Sequence, residues 1–173
     1  HIPRVTLDAG DELTAVWGPL GSTYGPTELT VEWLADYTVW VHSQLTALRP
    51  DLLVITGDRY ELLPAATAAL LLEIPVAHIS GGDITLGAID NQVRFALSMM
   101  SSIHFVGHDS HARRLVAMGE DSDRVLVVGD PALDDLPLEP QRERNDVFDS
   151  LGLSDAPRLA LLTYHAPTIA GAR

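Results

Sequence analysis

From Asp51 onward, short apolar runs alternate with longer Ala/Leu-rich or amphipathic stretches. Asp51-Leu-Leu-Val-Ile-Thr56 is short, apolar and partly β-branched, the pattern of a buried parallel strand. Tyr60 to Glu73 then predicts a helix, Pro75 to Ile79 a strand, and Gly87 to Met100 a helix. Ile103 to Val106 follows as a strand, Ser110 to Met118 as a helix closed by Gly119, and Arg124 to Val128 as a strand. Repeated β-α units of this length predict an α/β fold with a parallel sheet and helices on both faces, Asp51–Thr56 and Pro75–Ile79 lying side by side.

Ahead of these units, Thr27 to Leu48 predicts a longer helix with Leu34, Thr38, Val41, Leu45 and Leu48 on one stripe and Pro50 as its stop. His1 to Thr23 is rich in turn residues, with at most one weak strand around Leu13 to Val16. Toward the other end, Pro131 to Arg144 carries prolines and many charges and reads as a linker. A short helix from Asp146 to Leu151 and a strand from Leu159 to Leu162 are expected beyond it. The organisation expected is therefore a domain over 1–136, a linker over 137–145, and the opening of a second domain over 146–173.

Composition narrows the function classes. With 24 acidic against 11 basic residues, the net charge of −13 argues against a nucleic-acid or anionic-membrane surface. A small anionic ligand stays compatible, because a few local arginines and helix N-termini can hold a phosphate. The absence of cysteine excludes disulfides, thiol catalysis and Cys-ligated zinc. Apolar stretches such as Ala65 to Leu72 are far shorter than a membrane span. A soluble, cytoplasmic protein is the expectation.

In an open α/β sheet, ligands bind beyond the carboxyl ends of the strands. Three successive predicted strands end there in polar clusters: Gly57-Asp58-Arg59-Tyr60-Glu61, then His78-Ile-Ser80-Gly81-Gly82-Asp83 with Asp90 and Arg94 following, then His104 and His108. Each member also has an ordinary structural reading. Asp58 suits a helix N-cap with Arg59 as its salt partner, and Gly81-Gly82 suits a tight turn. His78 and His104 suit hydrogen-bonded core histidines, while His108 and His111 suit surface positions. Convergence at one sheet edge favours the functional reading. No Walker or dinucleotide phosphate loop is present.

Four segments carry a family resemblance. Arg49-Pro-Asp-Leu-Leu-Val-Ile-Thr-Gly-Asp-Arg-Tyr-Glu61 resembles the RPDLVVVLGDRYE segment of hydrolysing UDP-N-acetylglucosamine 2-epimerases, and His78-Ile-Ser-Gly-Gly-Asp-Ile-Thr-Leu-Gly-Ala-Ile-Asp90 resembles their HIxGGExTEGAIDD. Val128-Gly-Asp-Pro-Ala-Leu-Asp134 is similar to VGxPxLD, and Leu162-Thr-Tyr-His-Ala-Pro-Thr168 to TYHPVT. The order and spacing match over residues 26 to 168.

The resemblance implies one half of a two-domain, Rossmann-like architecture of the glycosyltransferase-B kind, with the active site in the cleft between the halves. It implies that a first strand-helix unit and nearly all of the second domain lie outside these residues, and that the isolated chain turns over little substrate. Family members, enzymes of amino-sugar and sialic-acid-type biosynthesis, eliminate UDP from a UDP-HexNAc and hydrate the glycal to the 2-epimeric sugar. Asp58, Asp83, Asp90 and His78 are the implied catalytic residues, and Arg59, Glu61, Ser80, Arg94 and His165 the implied substrate-binding ones. No cofactor or metal is called for, and a homo-oligomer is expected. Departures from the motifs stand at Ser80, Leu86, Asn91, Phe95, Met99 and Ser102, where relatives carry charged residues or histidines. A degenerate sugar-nucleotide-binding or partner module of the same family is therefore the alternative, and a glycosyltransferase of like architecture fits the motif order less well.

Overall fold

A computed structural model describes residues 4–6, 12–14, 30–134, 142–153 and 158–163. Its centre is a four-stranded parallel sheet in the order β3-β4-β5-β6, comprising β3 (Leu53–Thr56), β4 (Val76–Ile79), β5 (Ile103–Val106) and β6 (Val125–Val127). The two strands expected to be neighbours are so, in the register Leu53↔Val76 and Ile55↔His78. Helices α2 (Leu62–Leu71), α3 (Asp90–Met99) and α4 (Asp109–Met118) make the crossovers. Each connection steps one strand in the same direction, and right-handed crossovers in one direction set all their helices on one face.

That face holds the core. Val41 and Leu45 of α1 (Val31–Leu48), Ile55, Ala66 and Ala69 of α2, Val76, and Val93 and Leu97 of α3 form one buried cluster. On the opposite face Val54 and Leu126 are 55% and 41% exposed, while Ala77, paired with Val54, is fully buried.

Helix α1 starts later than its apolar stripe suggests. Thr30 is extended and its side chain accepts a hydrogen bond from the Trp33 N–H at 3.1 Å, so the cap fixes Val31 as the first helical residue. At the other end, Arg49 adopts a left-handed conformation with φ of 47°, and Pro50 follows. Helices α2 and α3 are likewise shorter at both ends than predicted, because Gly57–Glu61 and Ser80–Ile89 are spent on loops at the sheet edge.

Three differences lie outside this unit. The turn-rich start holds two paired strands, β1 (Arg4–Thr6) and β2 (Glu12–Thr14), which are antiparallel. Helix α5 (Arg144–Ser150) begins two residues before the expected Asp146, and the Arg144 guanidinium lies 3.9 Å over the Phe148 ring one turn on. Residues 158–163 are not a strand; Leu161 and Leu162 are both 90% exposed, and no strand lies beside them among the described residues. An apolar run becomes a strand only when a neighbour supplies the ladder and a face to cover.

Candidate active site

Parallel strands bring their carboxyl ends to one edge, and the polar clusters meet there. The Gly57 N–H donates to the Ile79 carbonyl at 3.0 Å, and the Ser80 N–H to the Phe105 carbonyl at 2.9 Å, so the turn after β3 is tied to the end of β4 and the turn after β4 to β5 by backbone.

Asp58 is half-buried in the first turn. It is not a helix cap, since Glu61 holds that position for α2. Its carboxylate makes an ion pair with Arg94, whose side chain is only 6% exposed. The same guanidinium donates to Thr85 Oγ1 at 3.1 Å and to Asn91 Oδ1 at 3.3 Å. Arg94 thus ties the turn after β3 to the loop after β4. Arg59 does not pair with Asp58; its exposed side chain lies 3.6 Å from Glu61. Glu61 is buried, and its Oε2 has no hydrogen-bond partner.

His78 is fully buried on β4. Its Nε2 lies 2.8 Å from the Gly57 carbonyl oxygen and its Nδ1 3.0 Å from Ser98 Oγ. Burial pushes its pKa below the ordinary 6.5, with Arg94 and His104 adding to the fall against the Gly57 carbonyl and Asp58. Both ring nitrogens are occupied, which is the structural reading of this histidine. His104 is also buried, with Nε2 2.9 Å from Glu120 Oε2.

The glycines after β4 are required by their surroundings. A Cβ on Gly82 would lie 2.6 Å from the His111 carbonyl oxygen, and φ there is 75°. Asp83 is half-exposed; it accepts from the Ile84 N–H at 2.7 Å and lies 3.3 Å from His111 Nε2. Arg114 of α4 donates to the Gly82 carbonyl. Ser80 takes a left-handed φ of 66° at the bend, and Asp90 is the first residue of α3. His108 caps α4, accepting from the Ser110 N–H at 3.1 Å. His165 lies outside the described residues. Among the described residues, no group of three or more acidic, cysteine or histidine side chains could hold a metal, and no helix is long and apolar enough to cross a membrane.

The family described as UDP-N-acetylglucosamine 2-epimerase matches residues 30–173. The chain belongs to that family. Within it, a GDP/UDP-N,N'-diacetylbacillosamine 2-epimerase (hydrolyzing) of Campylobacter jejuni is 40% identical over 122 residues, covering 70% of this chain and 32% of that protein. A UDP-N,N'-diacetylbacillosamine 2-epimerase (hydrolyzing) of Legionella pneumophila is 39% identical over 117 residues, covering 67% and 30%. The crystal structure of a UDP-GlcNAc 2-epimerase from Neisseria meningitidis bound to UDP-GlcNAc superposes with a TM-score of 0.59 at 26% identity, over 63% of this chain and 30% of that one. The chain spans about a third of the length of the curated relatives it matches.

Two positions where this epimerase-family chain departs from the motifs acquire a structural account. Leu86 is 88% exposed in the loop after β4. Asn91 is engaged on both sides of its amide, Oδ1 accepting from the Thr85 N–H at 2.8 Å and Nδ2 donating to the Thr85 carbonyl at 2.7 Å. The residues that sequence reasoning left out are the supporting ones: Thr85, Ser98 and Arg114. Only Ser98 left a signal, standing one helical turn after Arg94.

Proposed function

We propose that this chain forms the sugar-facing part of a hydrolysing UDP-HexNAc 2-epimerase, with residues 137–145 leading into a second Rossmann-like domain. The observation that carries the reading is the buried Arg94 guanidinium on the Asp58 carboxylate, which joins the two motif loops at the carboxyl edge of the sheet. The names of the relatives, which include UDP-N,N'-diacetylbacillosamine 2-epimerases, favour a 2-acetamido sugar with a second acetamido group as substrate.

The chemistry needs a base that removes the C2 proton while the C1–O bond to UDP breaks, giving UDP and a glycal. Water then adds its hydroxyl to C1 and a proton to C2 from the other face, giving the 2-epimer. Asp58, Asp83 and Asp90 supply the carboxylates, and Arg59, Glu61, Ser80 and His165 contact the sugar nucleotide. Arg94 keeps Asp58 oriented before substrate arrives. We place this activity in the cytoplasm and in a homo-oligomer, and take the substrate as the partner.

A second reading, binding without turnover, is favoured by Ser80 and Leu86, which stand where the resembling motifs carry acidic residues. The two readings separate in heavy water. The protein at its natural length is incubated with UDP-N,N'-diacetylbacillosamine and with UDP-GlcNAc, and products are read by proton NMR. Release of UDP with deuterium at C2 of the 2-epimer supports the proposal. Saturable binding with neither outcome would replace it with the second reading.

A further inference from the structure

We infer that His78 and Ser98 are positioning residues that together fix the Gly57–Asp58 turn, and that neither exchanges a proton with substrate. This rests on the proposed placement of Asp58 in the reacting site.

Hydrogen-bond logic sets the state of the ring. A carbonyl oxygen only accepts, so the 2.8 Å contact to Gly57 requires that His78 Nε2 carry the hydrogen. Nδ1 is then a lone pair, and the Ser98 hydroxyl 3.0 Å away donates to it. Both side chains are 0% exposed, which disfavours a charged ring. The charged or titratable groups facing it are Arg94 from α3, His104 from β5 and Asp58 from the turn after β3. No proton or lone pair of the imidazole remains to face the cleft.

The loop above is shaped to seal this pair. A Cβ on Gly81 would sit 2.9 Å from Ser98 Oγ and 3.0 Å from His78 Nδ1, so glycine lets the chain close directly over them. Helix α3 then grips the turn twice from one face. Arg94 takes the Asp58 side chain, and Ser98, four residues on, takes the preceding carbonyl through His78. Two anchors on adjacent residues of one turn hold a carboxylate in place without contacting the substrate.

The test uses the protein at its natural length with isotope-labelled histidine. Nitrogen NMR is expected to show His78 as a neutral Nε2–H tautomer with slow proton exchange, still neutral below its ordinary 6.5. Ser98→Ala is expected to keep the fold by circular dichroism and to lower kcat about 10- to 100-fold. KM and both limbs of the pH–rate profile stay in place, because geometry and not an ionisation has been lost. His78→Gln, whose amide N–H can reach the Gly57 carbonyl, recovers part of the activity that His78→Ala loses. An Nδ1–H or charged ring at neutral pH overturns the inference. So does Ser98→Ala with unaltered kcat and spectrum, or His78→Gln as inactive as His78→Ala with one limb of the profile gone. Should the protein release no UDP from any UDP-sugar, the proposed function fails by itself, and the tautomer and exchange rate of His78 still decide the positioning role.

Discussion

The guanidinium of Arg94 meets the carboxylate of Asp58 across 36 residues of sequence, with the arginine almost wholly buried and the aspartate about a quarter exposed. The arrangement is asymmetric. Arg94 has Thr85 and Asn91 as further partners, yet neither carries a charge to balance it. Its burial is tolerable because Asp58 is there.

Removing the aspartate should therefore cost more than an exposed ion pair would. Asp58→Ala is expected to lower stability by about 3 kcal/mol, and Arg94→Ala by a similar amount. The double variant should cost less than the sum, with a coupling of about 1–3 kcal/mol. Urea denaturation of the four proteins measures this. Additive losses would mean that the pair is not formed in solution.

The sequence made the β-α alternation readable because each strand is a compact apolar run and each helix an Ala/Leu-rich or amphipathic one. It made the site edge readable because Asp58 and Asp83 follow closely on strand ends and His78 stands next to the last residue of β4. Asp58 and Arg94 were both candidates, but the ordinary reading paired Asp58 with Arg59. Only the tertiary placement of Arg94 on α3 against the turn after β3 shows that Arg94 takes that place while Arg59 turns to Glu61. Leu159–Leu162 misled because an apolar run specifies the wish for a neighbour and not its presence.

Gly57 and Gly82, two of the motif glycines with positive φ, should respond differently to alanine. At Gly57, with φ of 88° and nothing within 4 Å of an added Cβ, only backbone strain is introduced, about 1 kcal/mol. At Gly82 the same strain is joined by the 2.6 Å approach to the His111 carbonyl, so the loss should reach about 3 kcal/mol. Thermal melting of the two variants ranks them. An equal fall in Tm would show that α4 yields to the loop.

His78 makes stability pH-dependent in a defined direction. Its folded pKa lies below 6.5, with burial as the leading cause, so the unfolded chain binds more protons in the window between the two values. The stabilisation is complete above pH 6.5 and is lost as pH falls through the folded value. In His78→Gln the midpoint of urea denaturation should change less between pH 7 and pH 5 than in the parent. Equal slopes would assign the acid sensitivity to other groups.

Self-association should use α1. Trp33, Tyr37 and Trp40 stack in sequence at 5.1 and 5.8 Å and stay only half-buried, although Tyr37 and Trp40 also pack against the core, and Val39 on the same helix is 70% exposed. Apolar surface of this kind favours contact with another chain. Light scattering is expected to give at least a dimer, and Val39→Asp to shift it toward monomer. A monomer at high micromolar concentration in the parent would remove α1 from consideration.

Asn91 offers a sharper test of whether a motif departure is a loss. The motif that this segment resembles has aspartate there, and the simple expectation is that Asn91→Asp restores function. The geometry argues the reverse. The amide nitrogen donates to the Thr85 carbonyl at 2.7 Å while the amide oxygen accepts from the Thr85 N–H at 2.8 Å, so one side chain closes both ends of the loop after β4. A carboxylate keeps the second bond and turns the first into an oxygen facing an oxygen. It also sets a second negative charge against Arg94, which lies 3.3 Å from Asn91 Oδ1 and already serves Asp58. Losing the donor should cost about 1–3 kcal/mol, part of it recovered through the added attraction to Arg94. The larger consequence is at Asp58, whose ion pair must now be shared. Asn91→Asp is therefore expected to be less stable in urea and to bind the sugar nucleotide more weakly by calorimetry, while Asn91→Ser, which retains one donor and one acceptor, falls between. A variant that gains stability and affinity together would show that the Thr85 clasp is dispensable and that the aspartate belongs there.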